Sequence, residues 1–150
     1  MCERALKEGD FDCFLLAGRY TLLEQDALDT FLPLCEKRDV AIILGGAFNS
    51  GILATGATEK SMYNYAPAPE PIKARVRQIE SVCREFDVPL MAAALQFVLA
   101  HPCVTTVVPG TRDARHLDES LSLLSRPIPA AFWEELRRRK LLAERAPVPA

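Results

Sequence analysis

The sequence predicts an α/β protein built on a parallel sheet, and three observations carry that prediction. Three short apolar runs, Phe11–Ala17, Val40–Leu44 and Val104–Val108, each stop at glycine or at proline-glycine. The segments between them place apolar residues at spacings of three and four, the period of helices that bury one face. The runs are almost continuously apolar rather than alternating, which suits parallel strands covered on both faces. Strands that alternate with helices form parallel βα units. Periodicity alone leaves two architectures open, a doubly wound sheet and a (β/α)8 barrel.

Each element has its own justification. Cys2–Glu8 reads as the last turns of a helix stopped by Gly9. Phe11–Ala17 is the first strand, closed by Gly18. Asp26 can cap a helix that carries Leu28, Phe31, Leu32 and Cys35 on one face and ends near Arg38. Val40–Leu44, rich in β-branched residues and stopped by Gly45-Gly46, is the second strand. Residues 46–70 show neither period, and a loop of that length inside a compact domain is functional or disordered. Pro71 then opens a helix in which Ile72, Val76, Ile79, Cys83 and Phe86 oppose Lys73, Arg75, Arg77, Glu80 and Arg84. Pro89 starts the next, Leu90–Ala100, apolar nearly all round and therefore buried. After the strand Val104–Val108, one helix holds Ala114, Leu117, Leu121 and Leu124 in register, and a last one runs from Pro129 to about Leu142 around Phe132, Trp133 and Leu136. The chain reads as one domain over residues 1–150, with 144–150 expected to fray.

Composition excludes several functions. The 150 residues are 49% hydrophobic and 25% charged with a formal net charge of −2, so no basic excess points to nucleic acid or an anionic membrane as partner. The most apolar stretch, Val88–Gly110, is interrupted by Pro89, Gln96, His101 and Pro102. It falls short of the ~20 largely unbroken apolar residues of a membrane span. Cys2, Cys13, Cys35, Cys83 and Cys103 are odd in number and widely spaced, without zinc-finger spacing, and are expected to be reduced core thiols. Together with a charged opening segment that lacks an apolar signal core, they place the chain in the cytoplasm, with no metal site.

In either architecture ligands bind at the carboxyl ends of the strands. One end, Gly45-Gly46-Ala47-Phe48-Asn49-Ser50-Gly51, is a glycine-rich turn whose backbone N–H groups can approach an anion, with Asn49 and Ser50 as side-chain donors; it is neither a Walker A loop nor a G-x-G-x-x-G. A plain strand-ending turn is the bland alternative. The end after the third strand, Gly110-Thr111-Arg112, leads straight into a helix, where Arg112 and Arg115 make most sense if they face an anion such as a phosphate rather than solvent. His116 lies one turn in, within reach of a ligand held there. His101 is expected to cap a helix carboxyl end, and Arg137–Lys140 to be a solvated helix end. No nucleophile-base or paired-carboxylate set assembles from the strand ends.

The segments FDCFLLAGRYTLLEQ, VAIILGGAFNSGILATG, YNYAPAPEPI, AAALQFVLAHPCVTTVVPGTRDARHLDESL and PIPAAFWEELRR resemble, in order, the carboxyl-terminal part of the aldo-keto reductase superfamily. Within it they are most similar to the sugar-oxidising branch of D-threo-aldose 1-dehydrogenases (L-fucose dehydrogenases) and pyridoxal 4-dehydrogenases. The resemblance implies that the strands are the sixth to eighth of a (β/α)8 barrel. It also implies a dinucleotide cofactor, NAD or NADP, lying extended across the barrel mouth. Gly45, Gly46, Phe48, Asn49, Ser50 and Gly51 would then line the nicotinamide and pyrophosphate, and Gly110, Thr111, Arg112, His116, Glu119 and Ser120 the adenosine end.

Two departures matter. The tyrosine that stacks on nicotinamide in many members is matched by Gly45 or Gly46, and the Lys-Ser pair common in NADPH users by Gly110-Thr111. The resemblance further implies that the family's catalytic Asp, Tyr, Lys and His come from the first four strands, so none is matched here, and Tyr20, Tyr63 and Tyr65 do not fit by position. Three functional expectations follow: a cofactor-binding portion of an NAD(P)-dependent oxidoreductase, inactive alone; a non-catalytic half-barrel that associates with itself or with the missing half; or an unrelated doubly wound nucleotide-binding domain.

Overall fold

A computed structural model describes residues 1–111 and 113–149. Helix α1 (Cys2–Glu8) precedes β1 (Cys13–Ala17), a 3-10 turn (Asp26–Leu28), α2 (Phe31–Lys37) and β2 (Ala41–Gly45). Then come α3 (Ile52–Thr55), β3 (Met62–Tyr63), β4 (Ala66–Pro67), α4 (Glu70–Glu85), α5 (Leu90–Leu99), β5 (Val104–Val108), α6 (Ala114–Leu124) and α7 (Ala130–Arg138). The main sheet is parallel in the order β1-β2-β5, with Leu15 opposite Ile43 and Ile43 opposite Thr106 across a register shift after Ile42. The βα order and parallel pairing are those expected of part of a (β/α)8 barrel.

The sheet is covered on one face only, where both faces were expected to be buried. Leu16, Ile42, Leu44 and Val104 point into the core with Phe31, Leu32 and Cys35 of α2, Val76 and Ile79 of α4, Phe97 and Val98 of α5, and Phe132, Trp133 and Leu136 of α7. The alternate side chains on the other face meet no helix, so Leu15 stays 63% exposed and Val108 51%. That face corresponds to the inside of a barrel, filled in a complete one by layers from all its strands.

Four further expectations change. The helix expected from Asp26 is interrupted, because Pro33 has no N–H and its ring would collide with the carbonyl four residues back; the 3-10 turn ends first and α2 starts at Phe31. Residues 46–70 are not structureless: α3 buries Ile52 and Leu53, and β3 and β4 form a hairpin with Asn64 and Tyr65 both left-handed at its tip. The apolar stripe of α6 is exposed at Leu117, Leu121 and Leu124, and only Ser120 of that helix is buried. The carboxyl-terminal segment is docked rather than frayed: Leu141, Leu142 and Ala146 are buried, Gln25 binds the Leu141 carbonyl and the Ala143 N–H, and Arg137 donates to the Ala146 carbonyl.

The thiols separate into two groups. Cys35, Cys83 and Cys103 are buried, and desolvation pushes the Cys35 and Cys83 thiols up to about 11 and about 12, so they act as small apolar groups. Cys2 is half-buried and Cys13 is exposed, contrary to the expectation for a core thiol, because Cys13 shares the bare sheet face with Leu15. No described helix is long and apolar enough to cross a membrane.

Candidate functional site

The turn after β2 is built from backbone conformations that few residues tolerate. Gly46 (φ 66) is left-handed, and a Cβ there would press on the Gly18 backbone nitrogen at 3.2 Å, so glycine alone fits without displacement. Asn49, Ser50 and Gly51 follow with φ of 45, 58 and 96, three left-handed residues in succession. The Gly18 N–H donates to the Gly45 carbonyl at 2.8 Å, which joins the ends of β1 and β2. The turn thereby brings Gly46, Phe48, Ser50 and Gly51 to one wall of a cleft of about 730 Å³.

The opposite wall comes from the end of β5 and the first turns of α6, as Gly110, Thr111, His116, Glu119 and Ser120. The last three share one helical face because they stand three and four residues apart. The floor and lip come from residues with no signal in the sequence: Ala54 and Thr55 of α3, Met91 of α5, and Tyr65 at the hairpin tip. The Tyr65 N–H donates to Ser50 Oγ at 3.1 Å, which links the hairpin tip to the turn. No alternation or helical period marks a two-residue hairpin such as Tyr63–Ala66. Its one visible cue was Asn64, a residue that accepts left-handed geometry.

Two expected cofactor contacts, Gly45 and Asn49, do not line the cleft. Gly45 is the last residue of β2, packed against Leu15 and Ala17. Asn49 is 4% exposed and faces inward: its Oδ1 accepts the Thr21 hydroxyl at 2.5 Å and its Nδ2 donates to the Gly18 carbonyl at 3.5 Å. Arg112 lies outside the described residues.

Arg115 is not aimed at an anion either. Asp113 caps α6 by accepting the Arg115 N–H at 2.9 Å, and the same carboxylate holds the Arg115 guanidinium through Nε at 3.0 Å and Nη2 at 2.5 Å. That guanidinium keeps the Asp113 carboxyl below its usual range. The first-turn cation is neutralised by its own cap, and among the described lining residues the one formal charge is the Glu119 carboxylate.

The remaining candidates are structural. His101 is buried and does not cap α5; its Nδ1 accepts the Cys103 N–H at 3.2 Å and its Nε2 faces Glu36 Oε1 at 3.8 Å. Glu36, His101 and Cys103 are close enough to suggest a metal site. With Nδ1 accepting, however, the neutral ring carries its proton on Nε2, which leaves neither nitrogen with a free lone pair for a cation. Burial lowers the His101 pKa and favours that neutral form. Arg137 and Arg139 are not simply solvated: Arg137 binds the terminal segment, and Arg139 bridges Glu85 and Glu135 at 2.5 and 2.6 Å.

Known proteins share both sequence and shape with this chain. The aldo/keto reductase family profile matches residues 1–139. Pyridoxal 4-dehydrogenase of Microbacterium luteolum is 42% identical over 139 residues, which cover 93% of this chain and 41% of that protein. D-threo-aldose 1-dehydrogenase of a Pseudomonas species is 39% identical over 140 residues, covering 93% and 43%. The holo form of an aldo-keto reductase from Bacillus halodurans superimposes with a TM-score of 0.70 at 22% identity, over 99% of this chain and 48% of that one. The glycerol dehydrogenase of Gluconobacter oxydans superimposes with a TM-score of 0.61 at 15% identity, over 96% and 46%. The chain thus spans less than half the length of each of these relatives.

Proposed function

The chain belongs to the aldo/keto reductase family, and we propose that it is the cofactor-binding carboxyl-terminal portion of an NAD(P)-dependent oxidoreductase. Its substrates would be of the aldose C1 or pyridoxal class that its relatives' names carry. The observation that carries this reading is the convergence of two strand ends, Gly46–Gly51 and Gly110–Ser120, on one cleft. Its volume of about 730 Å³ lies within the ~300–1,000 Å³ range of ligand pockets. Gly51 and Gly110 have open space where a Cβ would stand, so a flat or anionic group can come against the backbone. When bound, the nicotinamide exchanges a hydride with the substrate carbon. The residues of this chain bind and orient the dinucleotide: Ser50 on the turn side, His116, Glu119 and Ser120 on the helix side.

Proton transfer needs residues from elsewhere. Tyr65, the one tyrosine among the described lining residues, is 93% exposed at the cleft's lip, and no described lysine lines the cleft beside it. Absence of a positioned acid-base group costs ~10²–10⁴-fold in rate, so the chain alone binds cofactor without appreciable turnover. The dinucleotide is NAD or NADP: Glu119 is the one charged side chain among the described lining residues, and Arg112, next to Thr111 in sequence, lies outside the described residues. The buried free thiols suit the reducing cytoplasm.

Titration with NADH and NADPH, followed by nicotinamide fluorescence, tests this. Saturable binding of NADH, of NADPH or of both is expected. Binding of neither nucleotide overturns the cofactor role, and robust oxidation of L-fucose or pyridoxal by the purified chain overturns the inactivity. One observation favours a second reading, a half-barrel that associates with itself or with a chain supplying the other strands. The sheet face at Leu15 and Val108 is bare, Leu117, Leu121 and Leu124 of α6 are exposed, and both sheet edges are open. A monodisperse, well-folded monomer in sedimentation would speak against that association.

A further inference from the structure

We infer that Thr21 and Asn49 form a positioning pair, in which one buried hydroxyl sets the shape of the cofactor wall from the loop of the neighbouring strand. The inference rests on the cofactor reading above and gives a role to a residue that sequence alone placed on the ligand. Thr21 is fully buried in the loop after β1, 28 positions before its partner. Its Oγ1 accepts two backbone N–H groups, from Leu23 at 3.1 Å and Glu24 at 3.0 Å. A hydroxyl has two acceptor lone pairs and one proton, so with both lone pairs engaged the proton has one remaining partner, Asn49 Oδ1 at 2.5 Å. That assignment also fixes the Asn49 amide, because Oδ1 must accept from Thr21 and Nδ2 then faces the Gly18 carbonyl.

The consequence falls on the turn. Asn49 sits at φ 45 and hands on to Ser50 at φ 58 and Gly51 at φ 96. Two non-glycine residues in left-handed conformation persist only where surrounding structure over-determines them. Here Asn49 is anchored by side-chain bonds to two points of the β1 loop, Thr21 and Gly18, and by its N–H to the Gly46 carbonyl at 3.0 Å. Ser50, the next residue, projects its hydroxyl to the cleft and holds the Tyr65 N–H. Thr21 therefore touches no ligand, yet the direction of Ser50 and the place of the Tyr65 lip descend from it.

The variant that isolates the pair is Asn49→Gly, since glycine keeps the left-handed backbone and removes only the side-chain bonds. In the full chain, NADH or NADPH fluorescence titration should give a dissociation constant about tenfold weaker for Asn49→Gly, which loses the buried bond to Thr21 and the longer one to the Gly18 carbonyl. Thr21→Ser, which retains the hydroxyl, should restore wild-type behaviour where Thr21→Val does not. Amide exchange provides a readout independent of nucleotide: Gly51, whose N–H donates to the Phe48 carbonyl at 3.0 Å, should lose protection in Asn49→Gly while β2 keeps it. Wild-type affinity in a folded Asn49→Gly overturns the pair as a positioning device. If the wild-type chain binds neither nucleotide, the cofactor reading fails, and exchange alone decides: unchanged protection at Gly51 overturns the pair, and lost protection supports it.

Discussion

The two walls of the cleft are built to different standards. The wall after β2 is welded to the core: Ile52 and Leu53 of α3 are fully buried, and Asn49 is tied to the β1 loop. The wall formed by α6 buries only Ser120, displays Leu117, Leu121 and Leu124 to solvent, and is held mainly through α5. Amphipathic helices of this kind owe their stability to tertiary packing of the apolar face rather than to propensity. The first wall therefore carries its geometry within the chain, whereas the second has an apolar stripe that no described residue covers.

Deleting matched leucines gives the largest test of that contrast. Leu53→Ala removes a fully buried side chain and should cost ~2–5 kcal/mol. Leu121→Ala, at a residue 57% exposed, should stay within about 0.5 kcal/mol. Urea unfolding of both variants measures the difference. A loss at Leu121 as large as that at Leu53 would mean that the α6 stripe is already covered in solution, and would favour self-association.

The same contrast marks what the sequence could reveal. The strands were legible because the apolar runs ended by Gly18, Gly45-Gly46 and Pro109-Gly110 are too short for buried helices and too apolar for surface loops. The α6 period was equally legible, but a period states which residues share a face and not whether anything lies against it. Asn49 and Arg115 were read by residue type as ligand donors, and both are engaged by near neighbours in space or sequence, Thr21 and Asp113. The Asp113 cap was visible two residues before Arg115 and could have been used; the Thr21 contact spans 28 positions and could not. Most of the residues that the resemblance points to line one cleft, because a resemblance carries spatial information that composition lacks.

A smaller effect is expected where α6 is fastened. Gln96 of α5 donates both of its amide protons, to the carbonyls of Leu123 and Arg126 at 2.8 Å each, at the carboxyl end of α6. Gln96→Leu keeps the side-chain bulk and strands both acceptors, at a cost of about 1–2 kcal/mol. Amide exchange should accelerate along α6 and leave α3 unchanged. Equal acceleration in both would erase the distinction between the walls.

The smallest expected effect is a pH dependence confined to the amino end of α6. The Asp113 carboxyl is held below its ordinary value of 3.8 by the Arg115 side chain and N–H, whereas in the unfolded chain it would titrate at that value. A carboxyl whose folded pKa is depressed stabilises above the unfolded pKa and loses that contribution as pH falls through the folded value. Protection of the first α6 turn should therefore be flat from neutral pH to about pH 5 and decline below 3.8. Asp113→Asn preserves a good cap without a titrating group, so its profile should stay flat through the same window. The Gly51 amide should follow neither change, because the turn that holds it is anchored by the uncharged pair Thr21 and Asn49. Parallel loss at Gly51 in the wild type, abolished by Asp113→Asn, would show instead that the two walls open together.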